Sequence, residues 1–190
     1  MEKTLTFTAF AGERLLATGR KVKVALAVKA AAEADGTRTV LIFDDATGRQ
    51  VDFDLRGTKE DIAARLEAPE ETGGDARRAG RPKLGVVARE VTLLPRHWDW
   101  LGEQPGGASV TLRKLVDAAR TSRAGQMREA QAAADRFMGA MLGNQPGYEE
   151  ASRALYAMDR ARFIALTEPW PADLRDHARR LAAAAFVDNG

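Results

Sequence analysis

The first residues of the chain alternate between apolar and polar positions. Residues 4–10 read TLTFTAF, with Leu5, Phe7 and Ala9 on one side of the alternation and threonines on the other. A period of two is typical of a half-buried strand, and here the threonines are expected on its solvent-exposed face. Gly12 predicts a turn, after which residues 14–18 are expected to return as the second strand of a hairpin.

From residue 21 the apolar period changes to that of a helix. Apolar side chains recur at spacings of three and four residues: Val24, Ala27, Val28 and Ala31. This stripe predicts a helix over residues 21–34, which Asp35-Gly36 ends. Residues 38–43 and 50–55 are expected to form two more strands, joined by the turn-rich segment DDATGR.

A second helix is expected to begin at Thr58 and to end near Leu66. Thr58 and Asp61 have the spacing of a capping box, in which each side chain accepts a hydrogen bond from the backbone of the other residue. The order of elements is then ββαββα, which predicts a small α+β unit over residues 1–67.

Residues 68–82 read APEETGGDARRAGRP and contain almost no large apolar side chain, so they predict a linker. The β-rich run over residues 86–94 predicts one strand that stops at Pro95, a residue suited to the first turn of a helix. A short helix over residues 96–104 is expected to seal a small core with Trp98 and Leu101. Pro105-Gly106-Gly107 breaks that helix.

A further helix is expected to begin at Ala108 or Ser109. Its apolar side chains share one stripe: Leu112, Leu115, Val116 and Ala119. Beyond residue 125, the apolar spacing predicts three helices over residues 127–142, 148–167 and from 173 onward. These helices form a predicted helical unit over residues 126–190, so the whole chain is expected to have an α+β fold.

The central segment resembles the ribbon-helix-helix module. The residues LPRHWDWL are similar to the module's first helix, which begins at a proline. The residues PGGASVTLRKLVDAAR are similar to its second helix, which follows glycines. In that family two strands pair across a dimer and enter the major groove of DNA. The resemblance therefore implies a homodimer that binds DNA through residues 83–125.

The runs GRPKLGVVAREVTLLPRHWDWL and QPGGASVTLRKLVDAAR also resemble an uncharacterised bacterial family, the domain of unknown function two-two-three-nine. That family implies no established activity.

The predicted strand departs from the ribbon-helix-helix pattern in its side chains. One face carries Val87, Arg89, Val91 and Leu93, and the other carries Ala88, Glu90, Thr92 and Leu94. Neither face has a row of hydrogen-bond donors that could contact the edges of DNA bases. Arg89 is the one side chain of the strand that is well suited to reading a base. An alternative is that the strand is buried on both faces, in a dimeric or an intramolecular core.

Basic side chains are concentrated in the centre of the chain. Residues 77–128 contain 11 basic and 4 acidic side chains, a net charge of +7, whereas the whole chain has +2. Such asymmetry is expected where a protein meets a polyanion, although a basic stripe can also be solvated or can bind acidic parts of its own chain. The candidate nucleic-acid-binding residues are Arg77, Arg78, Arg81, Lys83, Arg89, Arg96 and Ser109. Ser109 qualifies through its expected place at a helix N-terminus, although N-capping explains it equally.

Catalytic and metal-binding patterns are weak. The chain has no cysteine, and its two histidines, His97 and His177, lack the spacing of a zinc site, so we interpret both as surface or capping residues. The aspartates at 44, 45, 52 and 54 are interpreted as solvated carboxylates of a sheet and its turn. We therefore expect no enzymatic activity, no metal and no cofactor.

The sequence shows no secretory signal and no apolar run long enough to span a membrane, so we expect a cytoplasmic protein. The preferred function is DNA binding, as in a transcriptional regulator. The alternative is a dimeric interaction protein that binds no nucleic acid, and a small-molecule-binding or enzymatic role is third.

Overall fold

The computed structural model describes residues 5–35, 39–68, 87 and 89–186. Over these residues the protein has the predicted α+β fold, with one four-stranded antiparallel sheet and eight α-helices. Contacts divide the chain into two compact units. The first unit combines residues 1–67 with residues 121–190, and the second comprises residues 68–120.

The sheet of the first unit has the strand order β2-β1-β3-β4. Its strands are β1 Phe7–Ala11, β2 Arg14–Gly19, β3 Val40–Asp44 and β4 Gln50–Val51. The strand β4 is shorter than predicted, and a local turn lies beyond its end. There the carboxylate of Asp54 accepts hydrogen bonds from the backbone N–H and the guanidinium of Arg56.

Two helices of the first unit follow the sequence prediction closely. Helix α1 spans Lys21–Ala34 and helix α2 spans Lys59–Glu67. The predicted capping box is present, because Thr58 N–H donates to the Asp61 carboxylate (2.8 Å) and Asp61 N–H donates to the Thr58 hydroxyl (3.2 Å). These contacts satisfy N–H groups that lack partners at the start of a helix.

The second unit contains two helices, α3 Pro95–Glu103 and α4 Gly107–Thr121. Pro95 occupies the first turn of α3, as predicted. In the described part of the chain, residues 87 and 89–94 form no strand, because no described segment is hydrogen-bonded beside them. The rest of the predicted strand, and residues 69–82 of the predicted linker, lie outside the described residues.

The C-terminal helices of the first unit are α5 Arg123–Met141, α6 Tyr148–Tyr156, α7 Arg160–Thr167 and α8 Ala172–Ala182, followed by a 3-10 turn, Ala183–Phe186. The single helix predicted over residues 148–167 is wrong. Met158 has a left-handed φ of 59°, and the side chain of Asp159 caps α7 by accepting from Arg162 N–H. Both features interrupt the helix between α6 and α7.

Helices cover both faces of the sheet. On one face, Phe7, Ala9 and Ile42 pack with Val24 and Val28 of α1. On the other face, the aromatic rings of Phe10 and Phe43 pack against Phe137 of α5 within a larger core that the C-terminal helices share.

This second core corrects two sequence interpretations. Residues 1–67 and 126–190 were expected to form separate units, but they belong to one compact unit because they bury apolar side chains against each other. The threonine face of β1 was expected to be wet, yet Thr8 is fully buried beneath the C-terminal helices.

The turn between β3 and β4 packs closely on α5. Gly48 in this turn has φ +66°, and a Cβ atom added there would overlap the backbone carbonyl of Ala133. Arg136 of α5 donates from Nη1 to the carbonyl oxygen of Thr47 at 2.7 Å. The turn therefore approaches α5 so closely that there is no room for a side chain at position 48.

Candidate functional site

The second unit exposes most of its apolar side chains. Among its described residues Leu101 is buried, whereas α4 has no buried residue at all. Trp98 was expected to share the core with Leu101, but it is 42% exposed. The exposed large apolar residues of this unit, here called the apolar surface, are Val87, Val91, Leu94, Trp98, Trp100, Leu115 and Val116.

Three candidate nucleic-acid-binding residues are described, and all three are exposed. The side chains of Arg89, Arg96 and Ser109 have no hydrogen-bond or ion-pair partner among the described residues, and no such contact joins them to one another. Because α4 begins at Gly107, Ser109 lies inside its first turn and is not the expected first residue or N-cap. The other four candidates, Arg77, Arg78, Arg81 and Lys83, lie outside the described residues.

The first unit contains a polar cluster between its sheet and α8. The buried hydroxyl of Thr8 donates to Asp45 Oδ1 at 2.7 Å and accepts from Arg180 Nη2 at 3.1 Å. Arg180 Nη2 also lies 2.6 Å from Nδ1 of His177. The cluster thus joins β1, the β3–β4 turn and α8 through one hydroxyl, one carboxylate and one guanidinium.

His177 in this cluster is held in its neutral form. A guanidinium can only donate, so Nδ1 of His177 accepts, and the proton of the neutral ring lies on Nε2. Nε2 has no hydrogen-bond partner among the described residues and lies 3.7 Å from Asp45 Oδ1. Burial, reinforced by the charge of Arg180 and opposed by that of Asp45, lowers the pKa of His177 to about 4.

The cluster overturns two interpretations made from the sequence. His177 is 4% exposed, so it is not the surface or capping residue that was expected. The apolar spacing in the sequence could have predicted the burial of His177, because it lies on one stripe of α8 with Leu174, Ala178 and Leu181. Asp45 was expected to be solvated, but its side chain is only 12% exposed. No local pattern indicates this, since the residues that cover Asp45 are distant in sequence.

Metal ligands do not converge in the described part of the chain. No group of three or more His, Asp or Glu side chains there is arranged to hold a metal ion.

Across the same residues, every helix is too short or too polar to cross a bilayer.

The fold defines an α+β protein whose sheet lies between helical layers. Residues 6–182 match the family described as an uncharacterised protein conserved in bacteria (DUF2239), and the chain belongs to that family. This confirms the resemblance of the sequence to that uncharacterised bacterial family. Neither curated proteins nor solved structures gave a match.

Proposed function

We propose that this protein is a homodimeric, non-enzymatic DNA-binding protein, acting as a transcriptional regulator through residues 83–125. The observation that carries the proposal is the apolar surface. Two amphipathic helices that bury little more than Leu101 leave apolar side chains in water, which is unfavourable for a soluble chain without a partner.

A second copy of the chain is the partner that fits this surface best. Residues 89–94 lie directly before α3 and have no strand partner among the described residues. The same residues of a second copy would satisfy their backbone groups by antiparallel pairing and would cover the apolar side chains around them. An interface of this kind is closed by a twofold axis, as in most homodimers.

Charge supports DNA as the ligand of the dimer. Residues 77–128 have a net charge of +7, and a dimer would present this charge twice. The exposed guanidinium groups of Arg89 and Arg96 have no acidic partner among the described residues, so they are available to phosphates. Contacts of this type give affinity that depends on salt and little on sequence.

Dimer formation is expected to depend on the apolar face of α4. Leu115→Ser should weaken the dimer at least tenfold, because burying a leucine side chain contributes about 1.5–3 kcal/mol. Lys114→Ser, at the neighbouring position on the polar side of the helix, is the control and should leave association unchanged. Light scattering and sedimentation over a concentration series measure both. A wild-type protein that stays monomeric at the highest concentration would contradict the proposal.

Binding to duplex DNA is expected to weaken steeply with salt. In an anisotropy assay on random duplexes, Arg96→Ala should flatten the slope of log affinity against log salt by about one unit per lost phosphate contact. Arg160→Ala, an exposed arginine of the first unit, removes the same charge and should leave the slope unchanged. Arg89→Ala should also reduce any site preference, by about 1–3 kcal/mol for a bidentate guanine contact.

The alternative is a dimeric interaction protein that binds no nucleic acid. The apolar surface favours it as well, since protein partners also cover such surfaces. A dimer that Leu115→Ser disrupts, combined with no DNA binding at low salt, would replace the first proposal with this one.

A further inference from the structure

A cleft of about 490 Å³ opens on the first unit where the sheet, α5 and α8 meet. Its polar rim includes Thr18, Asp45 and Arg180. Apolar side chains line much of the rest: Ala46, Ala130, Ala133, Leu181, Ala183 and Ala184. Thr6, Gln126 and Glu129 also line the cleft. Small-molecule sites have volumes in this range and combine apolar side chains with polar groups that orient the ligand.

The rim presents opposite charges that do not hydrogen-bond to each other. Arg180 Nη2 lies 3.7 Å from Asp45 Oδ2, close enough for an ion pair but too far for a hydrogen bond. Asp45 accepts from Thr8 through Oδ1, which leaves Oδ2 without a donor among the described residues. Arg180 uses Nη2 for its contacts with Thr8 and His177, so Nε and Nη1 have no acceptor there, and its side chain is 51% exposed.

Buried groups hold these charges in place. The Thr8 hydroxyl gives its proton to Asp45, so it must accept from Thr18, whose Oγ1 lies 3.2 Å away. Thr18 is left with acceptor lone pairs on the rim. Thr8 is fully buried and His177 nearly so, and therefore the ends of Asp45 and Arg180 are positioned before any ligand arrives.

We infer that this cleft binds a zwitterion, an α-amino acid with a small or apolar side chain. Its carboxylate accepts from Arg180, its ammonium donates to Asp45 Oδ2 and Thr18, and its side chain lies along the alanines. A ligand with only an anionic group would face the carboxylate of Asp45, which lines the cleft. A ligand with only a cationic group would leave Nε and Nη1 of Arg180 without an acceptor. The inference does not depend on DNA binding.

The test is calorimetry on the full chain with L-leucine and two analogues that each lack one charge. Isoamylamine has no carboxylate, and 4-methylpentanoate has no amine. L-leucine is expected to bind at least tenfold more tightly than either analogue, because each missing charge removes a charge-assisted hydrogen bond. L-alanine is the probe for a smaller side chain. Equal binding of isoamylamine and L-leucine, or no binding of either amino acid at high millimolar concentration, would overturn the inference.

Variants locate the ligand within the cleft. Arg180→Met should lower the affinity for L-leucine to that for isoamylamine, about tenfold or more. Arg180 also contacts Thr8 and His177, so its replacement disturbs the polar cluster as well as the cleft. A second variant is therefore needed that changes the cleft and leaves the polar cluster intact. Ala184→Phe fills the cleft from an exposed position and should abolish binding, whereas Ala161→Phe, exposed on α7, should not. Circular dichroism melting checks that each variant is folded, and wild-type affinity in folded Ala184→Phe would place the ligand elsewhere and reject the site.

Discussion

Gly48→Ala is expected to destabilise the protein by about 3–5 kcal/mol, in the range of severe overpacking and backbone strain combined. The backbone at Gly48 has φ +66°, a conformation that disfavours any side chain. The added methyl group would also overlap the carbonyl oxygen of Ala133. That oxygen belongs to the backbone of α5, a helix packed against the sheet, so it cannot rotate away as a flexible side chain would.

Gly12→Ala separates these two contributions. Gly12 has a similar φ of +61°, but an added Cβ there meets nothing within 4 Å. It should therefore lose only the conformational contribution, about 1 kcal/mol. Urea unfolding of both variants, followed by circular dichroism, measures the difference. Equal losses would mean that the turn and α5 are not in close contact.

Acidification is expected to destabilise the first unit through His177, before most carboxylates are protonated. The pKa of His177 is about 4 in the folded protein and 6.5 for an ordinary histidine, so the unfolded chain binds more protons between these values. The stabilisation is complete above the unfolded pKa and is lost as the pH falls. By linkage, the loss is about 2 kcal/mol between about pH 7.5 and pH 5, and about 3 kcal/mol by pH 4.

The matched variants are His177→Gln and His97→Gln. His177→Gln removes the titrating group and should flatten the dependence of the unfolding free energy on pH above about pH 5. His97 is exposed, and its replacement should leave that dependence unchanged. The groups that face His177 are Asp45 and Arg180. The carboxylates of Asp54, Asp61 and Glu168, whose pKa values are lowered by neighbouring hydrogen bonds and charges, contribute to a further loss at lower pH. An unchanged slope in His177→Gln would show that another group controls the transition.

Local signals predicted the helices of the centre and the N-terminus. Residues 21–34 were predicted as one helix and form α1, because apolar spacing and the flanking turn both act within a few residues. Pro95 starts α3 for the same kind of reason, since its fixed φ and missing N–H suit that position wherever the helix packs.

The sequence by itself therefore determined where most elements begin and end, since caps, turns and apolar periods are interactions between near neighbours. Only the tertiary structure decided that Thr8 is buried, that Asp45 and Arg180 share a rim, and that His177 stays neutral. Asp45 and Arg180, which both hydrogen-bond to Thr8, lie 37 and 172 residues from it in the sequence. Burial and charge depend on which helix covers which face of the sheet, and no period along the chain records that choice.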